Sequence, residues 1–60
     1  MFIELTGIYN TKIMINIRNI ISIAHGENSE YTSILLANGG MVKAKETYEE
    51  IKNILKKVEF

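Results

Sequence analysis

The side chains able to do chemistry in this sequence are few, and they favour binding over catalysis. Arg18, the one arginine, presents a planar guanidinium suited to phosphate or carboxylate. His25, the one histidine, stands before a polar loop, where its ring can stack on a base or contact a phosphate. Tyr9 and Tyr31 flank predicted loops and offer further stacking surfaces. Together these residue types indicate a site for a small, flat, anionic molecule.

Two lysines on predicted strands add positive charge for such a ligand. Lys12 and Lys43 lie among alternating apolar residues, and a charge-assisted bond to phosphate is the strongest polar contact available to them. Simpler roles stay open for all six candidates. Strand lysines often protect sheet edges, Arg18 fits a solvated turn, His25 fits a strand end bonded to backbone, and tyrosines beside loops often close the edge of a core.

Catalytic and metal-binding sets are missing. The chain has no cysteine and no aspartate, and with one histidine it forms neither a Ser-His-Asp triad nor a zinc site of several His or Cys ligands. Glu46, Glu49 and Glu50 are explained by helix capping, and Glu27 and Glu30 by loop solubility. We therefore predict a protein that is not an enzyme and that uses no cofactor and no metal.

The charge balance and hydropathy of the chain limit the kinds of partner that it is expected to bind. The 60 residues carry 7 basic and 7 acidic side chains, so the net charge is zero. A general nucleic-acid binder or a polybasic membrane-surface module has a basic excess, which this chain lacks, so we expect neither a nucleic-acid polymer nor a membrane as partner. No apolar run approaches the ~18 residues of a membrane span, and no signal peptide is visible. We expect a single domain over residues 1–60, located in the cytoplasm of a bacterial host cell. The high content of Ile, Asn, Lys and Tyr is typical of an AT-rich bacterial or phage gene.

Hydrophobic periodicity predicts the elements that must position these side chains. Alternation with a period of two indicates strands, followed by one segment of helical spacing. The predicted strands are 2–6, 11–17, 20–25, 31–37 and 41–44, and the helix is 47–58. The predicted fold is α+β: a small antiparallel β-meander of about five strands with one C-terminal amphipathic helix.

Local signals support two of these boundaries. Asn38-Gly39 predicts a type I′ hairpin turn, which needs positive φ angles. Thr47 followed by Glu50 predicts a capping box at the helix start. The apolar helix positions, all assigned to core packing, are Tyr48, Ile51, Ile54, Leu55 and Val58.

The strands carry more apolar surface than one short helix can cover. The faces opposite the predicted core hold Phe2, Met14 and Ile20, and residues 34–37 are apolar on both sides of their strand. A large exposed apolar patch marks an interface or a ligand pocket. The surplus predicts a homo-oligomer or a ligand pocket.

Motifs along most of the chain resemble a known family. They run Phe2-Ile-Glu-Leu-Thr6, Ile15-Asn16-x-x-Asn19-Ile20-x-x-Ile23, Thr32-x-Ile34-x-Leu36-x-Asn38-Gly39, Val42-Lys43 and Glu46-Thr-Tyr-Glu-Glu. This layout resembles the small FlbD/SwrD-type proteins of flagellar and swarming operons, and short phage proteins of the same layout. The resemblance implies a protein-interaction accessory factor, and it transfers no catalytic residue.

A second resemblance rests on general properties of the chain and not on a motif. In size, apolar surplus and AT-rich composition the chain is similar to small viral sponge proteins, which sequester nucleotide immune signals such as cyclic dinucleotides or ADP-ribose derivatives. We therefore expect a non-enzymatic homo-oligomeric binding protein, foremost a phage-type anti-defence sponge for such a nucleotide. The alternative is the motility-type accessory factor with a protein partner.

Overall fold

Five strands and one helix make up the fold. The computed structural model describes the backbone of residues 1–59 and the side chains of residues 1–58. The strands are β1 (Phe2–Thr6), β2 (Lys12–Asn16), β3 (Ile20–Ala24), β4 (Thr32–Leu36) and β5 (Met41–Ala44), with a 3-10 helix at Ile17–Asn19 and helix α1 at Tyr48–Glu59. The predicted α+β class, its five strands and its C-terminal helix are confirmed.

The strands form two antiparallel sheets, so the predicted single meander is wrong. One sheet is the β1–β2 hairpin, and the other has the order β3-β4-β5. The break lies at the 3-10 helix, where the side-chain oxygen of Asn16 accepts a hydrogen bond from the backbone N–H of Arg18 at 3.1 Å. This cap turns the chain away from β2, so β3 begins a new sheet.

The two sheets join at one corner. Gly7, just after β1, forms an isolated antiparallel bridge with Ala44 at the end of β5. The Lys45 N–H donates to the Thr6 carbonyl oxygen at 2.7 Å in the same place. From this corner the sheets face each other across the core.

The core lies between the sheets and under the helix. Inward residues of β1 and β2 alternate with exposed ones, as half-buried strands require. Within β4, the central strand of its sheet, Ile34 is fully buried. The buried hydrophobic residues are Ile3, Leu5, Ile15, Ile34, Ala44 and Ile51.

Strand β3 contains an irregularity that its alternation conceals. The register with β4 shifts between Ile20 and Ser22, so Ile21 is an extra residue in the ladder. Ile20 and Ile23 therefore both pack on the core, and Ile21 is 62% exposed. The prediction that Ile20 lies on the face opposite the core is wrong, and Ile21 does not share a face with Ile23 as strict alternation would require. A β-bulge of this kind is a local feature that strict alternation does not reveal.

The β1–β2 and β4–β5 hairpins close through the same kind of three-residue loop. Gly39 donates to Leu36 O at 3.0 Å, and Asn10 donates to Gly7 O at 2.9 Å. The third loop residue has positive φ in each case, Gly39 at 90° and Asn10 at 65°. Asn38 has no positive φ, so the predicted type I′ turn is wrong; the loop is the three-residue kind that ends in a left-handed residue.

Replacing Gly39 with alanine should destabilise the fold by about 1–2 kcal/mol, the ordinary cost of a left-handed L-residue. A Cβ there would meet nothing within 4 Å, so the cost is one of backbone conformation alone. Gly26→Ala is the matched control, because Gly26 lies in a loop without positive φ. Urea unfolding of both variants measures the difference, and an equal loss in the two would contradict the turn assignment.

The helix begins with the predicted capping box. Thr47 N–H donates to the Glu50 carboxylate at 2.8 Å, and Glu50 N–H donates to the Thr47 hydroxyl at 3.0 Å. Ile51 is buried beneath the helix, while Tyr48, predicted to pack in the core, is exposed because it stands in the first turn at the margin of the sheets. Within residues 1–59, no helix has the length and apolar character needed to cross a membrane.

Candidate functional site

Five of the six predicted site residues lie at one end of the molecule, which we call the hairpin end. The pairings of Thr32 with Ala44 and of Gly7 with Ala44 bring the end of β1 and the beginning of β4 to the end of β5. Antiparallel pairing puts the beginning of β2 and the end of β3 there as well. The five residues at this end are Tyr9, Lys12, His25, Tyr31 and Lys43.

Arg18, the sixth candidate, lies at the opposite end. It follows β2, whose five residues separate Lys12 from Asn16 by roughly 13 Å at ~3.3 Å per residue. Arg18 is exposed in the 3-10 helix. A single chain therefore does not bring Arg18 to the other five candidates.

An open groove runs between β2 and β5 at the hairpin end. Its floor is apolar, formed by the half-buried side chains of Ile13 and Val42. Tyr9 stands at one side with 86% of its surface exposed, and Met41 stands at the other. We call this the β2–β5 groove; its lining is Gly7, Ile8, Tyr9, Thr11, Ile13, Met41, Val42 and Lys43.

The groove continues past its floor toward the other end of β2. Ile13 and Val42 also line a second depression, which reaches Met14 and Leu36. Neither Ile13 nor Val42 was among the predicted site residues. No local signal marks either residue as a groove floor, because the groove forms only where strands of the two sheets come together.

Lys43 and Tyr31 form a pair beside the groove. The Lys43 ammonium lies 5.1 Å from the centre of the Tyr31 ring. A cation over an aromatic face is worth about 0.5–1 kcal/mol at an exposed site. Tyr31 is half-buried, so it supports Lys43 at the groove, and Tyr9 offers the more open ring of the two.

Glu46 holds the corner beneath the hairpin end. Its carboxylate oxygens accept the Thr6 N–H at 2.9 and 3.0 Å. Its backbone carbonyl accepts the hydroxyl of buried Thr32 at 2.8 Å. The prediction that Glu46 caps the helix is wrong, because its carboxylate accepts a hydrogen bond from β1 instead. This bond joins residues that are 40 positions apart, so no local pattern in the sequence indicates it.

The charge state of Glu46 follows from these contacts. Burial, the largest single influence, raises the pKa of the carboxyl, but hydrogen bonds with Thr6 and with the backbone of Glu46 itself, together with the positive charge of Lys12, outweigh it and lower the pKa. Lys12 therefore already interacts with an anion of its own chain. The hairpin tip is held by a bond from Lys45 Nζ to Asn10 Oδ1 at 2.5 Å.

His25 shares the hairpin end and not the β2–β5 groove. It is exposed and lines a shallow depression with Thr47, Tyr48 and Glu49, beside the start of α1. The structure thus groups Tyr9 with Lys43 and its supporting Tyr31, places Lys12 on the outer face of β2, and sets His25 apart. Across the described part of the chain, no three His or Glu residues gather into a set able to hold a metal ion.

Comparisons with known proteins assign no relative to this arrangement. The chain matches no protein-family model, no curated protein and no solved structure.

Proposed function

We propose that this chain is a non-enzymatic binding protein that holds a small aromatic anion, of the nucleotide class, in the β2–β5 groove. The observation that carries the proposal is the ring of Tyr9, 86% exposed beside an apolar floor and Lys43. A flat base stacks on such a ring, and an ammonium group meets a phosphate.

Each part of the groove matches one part of a nucleotide. Ile13 and Val42 present an apolar surface that a base covers with a gain of hydrophobic free energy. Lys43 is held near one margin by Tyr31, so less side-chain entropy is lost when it contacts a phosphate. Binding without turnover is the consistent outcome, since the residues around the groove include no acid, base and nucleophile set.

The biological form that we propose is sequestration. A small homo-oligomer of this kind, in the cytoplasm of a bacterial host, would act as a phage-type anti-defence sponge for a cyclic dinucleotide or an ADP-ribose derivative. The support is the combination of a stacking ring, a cation and an apolar floor in 60 residues.

Replacing Tyr9 with alanine should weaken nucleotide binding about five- to 160-fold, because base–aromatic stacking is worth about 1–3 kcal/mol. Tyr9→Phe keeps the ring and should bind within about threefold of the wild type. Isothermal titration calorimetry against a panel of cyclic dinucleotides and ADP-ribose derivatives provides the affinities. Tyr9 is highly exposed, so neither variant should change the fold.

A lysine pair completes this test. Lys43→Ala should weaken binding and flatten its dependence on salt, whereas Lys56→Ala, an exposed lysine near the end of α1, should change neither. Equal effects of the two lysine variants, or full affinity in Tyr9→Ala, would rule out the groove as the nucleotide site.

One observation favours the motility-type accessory factor as a second candidate. Phe2 and Met14 are 56% and 62% exposed on the outer face of the β1–β2 hairpin, where a protein partner could bury them. This candidate predicts a gene among flagellar genes and a protein partner whose binding is lost in Phe2→Ser. Nucleotide binding that survives Phe2→Ser would favour the groove.

A further inference from the structure

The outer edge of β2 offers a row of backbone groups to another strand. Gly7 N–H donates to Thr11 O at 2.7 Å and Ile17 N–H donates to Met1 O at 3.0 Å, which sets the phase of the hairpin ladder. Alternate residues of an antiparallel strand point to opposite sides. The residues whose N–H and C=O point away from β1 are Lys12, Met14 and Asn16, and β2 has no second neighbouring strand within the described residues.

We propose that a second copy of this chain pairs with β2 in antiparallel fashion, with Met14 on the twofold axis, and supplies Arg18 to the nucleotide site. Among symmetric registers, this one pairs all five residues of β2. It sets Lys12 opposite Asn16 of the second copy, so no like charges face each other across the new ladder. A net charge of zero adds no repulsion between copies.

Antiparallel pairing reunites the candidates that one chain keeps apart. The end of β2 that leads into Arg18 lies beside the beginning of β2 in the other copy, next to the hairpin tip that carries Tyr9. Lys12 and Asn16 of the second copy form a pair with Cα atoms about 5.5 Å apart. In this register the neighbouring β2 lies along the groove as far as Lys12, so the proposed site is at the hairpin tip beyond the paired residues. There the guanidinium of Arg18 from the second copy would add a bidentate phosphate contact to those of Tyr9 and Lys43. The dimer has two such sites, related by the twofold axis.

The same pairing gives the exposed Met14 side chain a partner. Met14 is 62% exposed on the outer face of β2, where its neighbour on β1 is Glu4. In the four-stranded sheet β1-β2-β2-β1, the two Met14 side chains meet at the axis, and each is covered in part by the other.

The first arm of the test measures mass. Sedimentation velocity and native mass spectrometry should find a dimer of the wild type and a monomer of Met14→Lys, which sets two lysines against each other at the axis. Ile21→Lys is the matched control, because Ile21 is also 62% exposed but lies on β3, and it should stay dimeric. A monomeric wild type, or a dimeric Met14→Lys, would overturn the pairing.

The second arm tests the shared site by mixing two variants, and it rests on the proposed nucleotide binding. Tyr9→Ala and Arg18→Ala each damage both sites of their own dimer. In a mixed dimer, Tyr9 from one chain and Arg18 from the other rebuild one intact site, so an equal mixture should regain about a quarter of the tight sites of the wild type. No regain, in a mixture shown by mass to contain mixed dimers, would overturn the shared site.

The two arms separate the possible failures. A dimer that binds no nucleotide overturns the proposed function and leaves the β2 pairing standing. A monomer that binds nucleotide, with Tyr9 required and Arg18 dispensable, overturns the second-copy inference and leaves the groove standing.

Discussion

Replacing Ile34 with alanine is expected to lower the free energy of unfolding by about 3–4 kcal/mol, within the range seen for buried isoleucine and leucine truncations. Ile34 is 0% exposed on β4, opposite Ile23 on one side and Val42 on the other. Removing its methyl groups leaves a cavity that three paired strands cannot close. Domains of this size are stable by only about 3–9 kcal/mol, so the substitution should remove at least about a third of the total stability.

The next residue along the chain supplies the control. Leu35 is half-buried on the outer face of β4, opposite Met41, so Leu35→Ala should cost only about 1 kcal/mol. Urea unfolding followed by far-ultraviolet circular dichroism measures both variants. If Leu35→Ala proved as costly as Ile34→Ala, the assignment of the two faces of β4 would be wrong.

Replacing Glu46 with alanine is expected to cost about 2–3 kcal/mol. The change removes the carboxylate that accepts the Thr6 N–H, and hydrogen bonds to charged groups contribute about 1.5–3 kcal/mol. Glu46→Gln keeps one acceptor oxygen and should cost about half as much. Glu49→Ala, an exposed position in the same segment, should change stability by less than about 0.5 kcal/mol.

The same carboxylate makes stability depend on pH. Because the pKa of Glu46 is lower in the folded state than its ordinary 4.5, its contribution is fully present above pH 4.5 and is lost as pH falls through the folded value. The wild type should therefore lose stability below pH 4.5 more steeply than Glu46→Gln. Parallel pH profiles of the two proteins, measured by urea unfolding, would contradict the bond between Glu46 and β1.

Local sequence patterns predicted most of the strands and the helix, whereas the arrangement of the strands into sheets depends on contacts between distant segments. Thr47 and Glu50 lie three residues apart, so their capping box is readable from sequence alone. The bond from Thr6 to Glu46 and the bridge from Gly7 to Ala44 join distant segments, and no local pattern encodes them. These contacts join the two sheets at one corner, while the capped 3-10 helix separates β3 from β2, which is why one meander was the wrong expectation.

The site shows the same division. The residue types Tyr, Lys and Arg indicated phosphate and base contacts, and the structure groups Tyr9 with Lys43 at one groove. Arg18 was grouped with them on residue type alone, although a strand over 11–17 already places Lys12 and Arg18 at opposite ends of β2. The antiparallel dimer that we propose restores that grouping across two copies.

Native mass spectrometry of the wild-type chain, with and without the nucleotide panel, is the most direct test of nucleotide binding by the dimer. We expect a dimer that gains the mass of two nucleotides from one or more members of the panel, and Tyr9→Ala should lose that gain. A chain that gains no nucleotide mass from any member, at concentrations where the dimer is intact, would contradict nucleotide binding by the dimer.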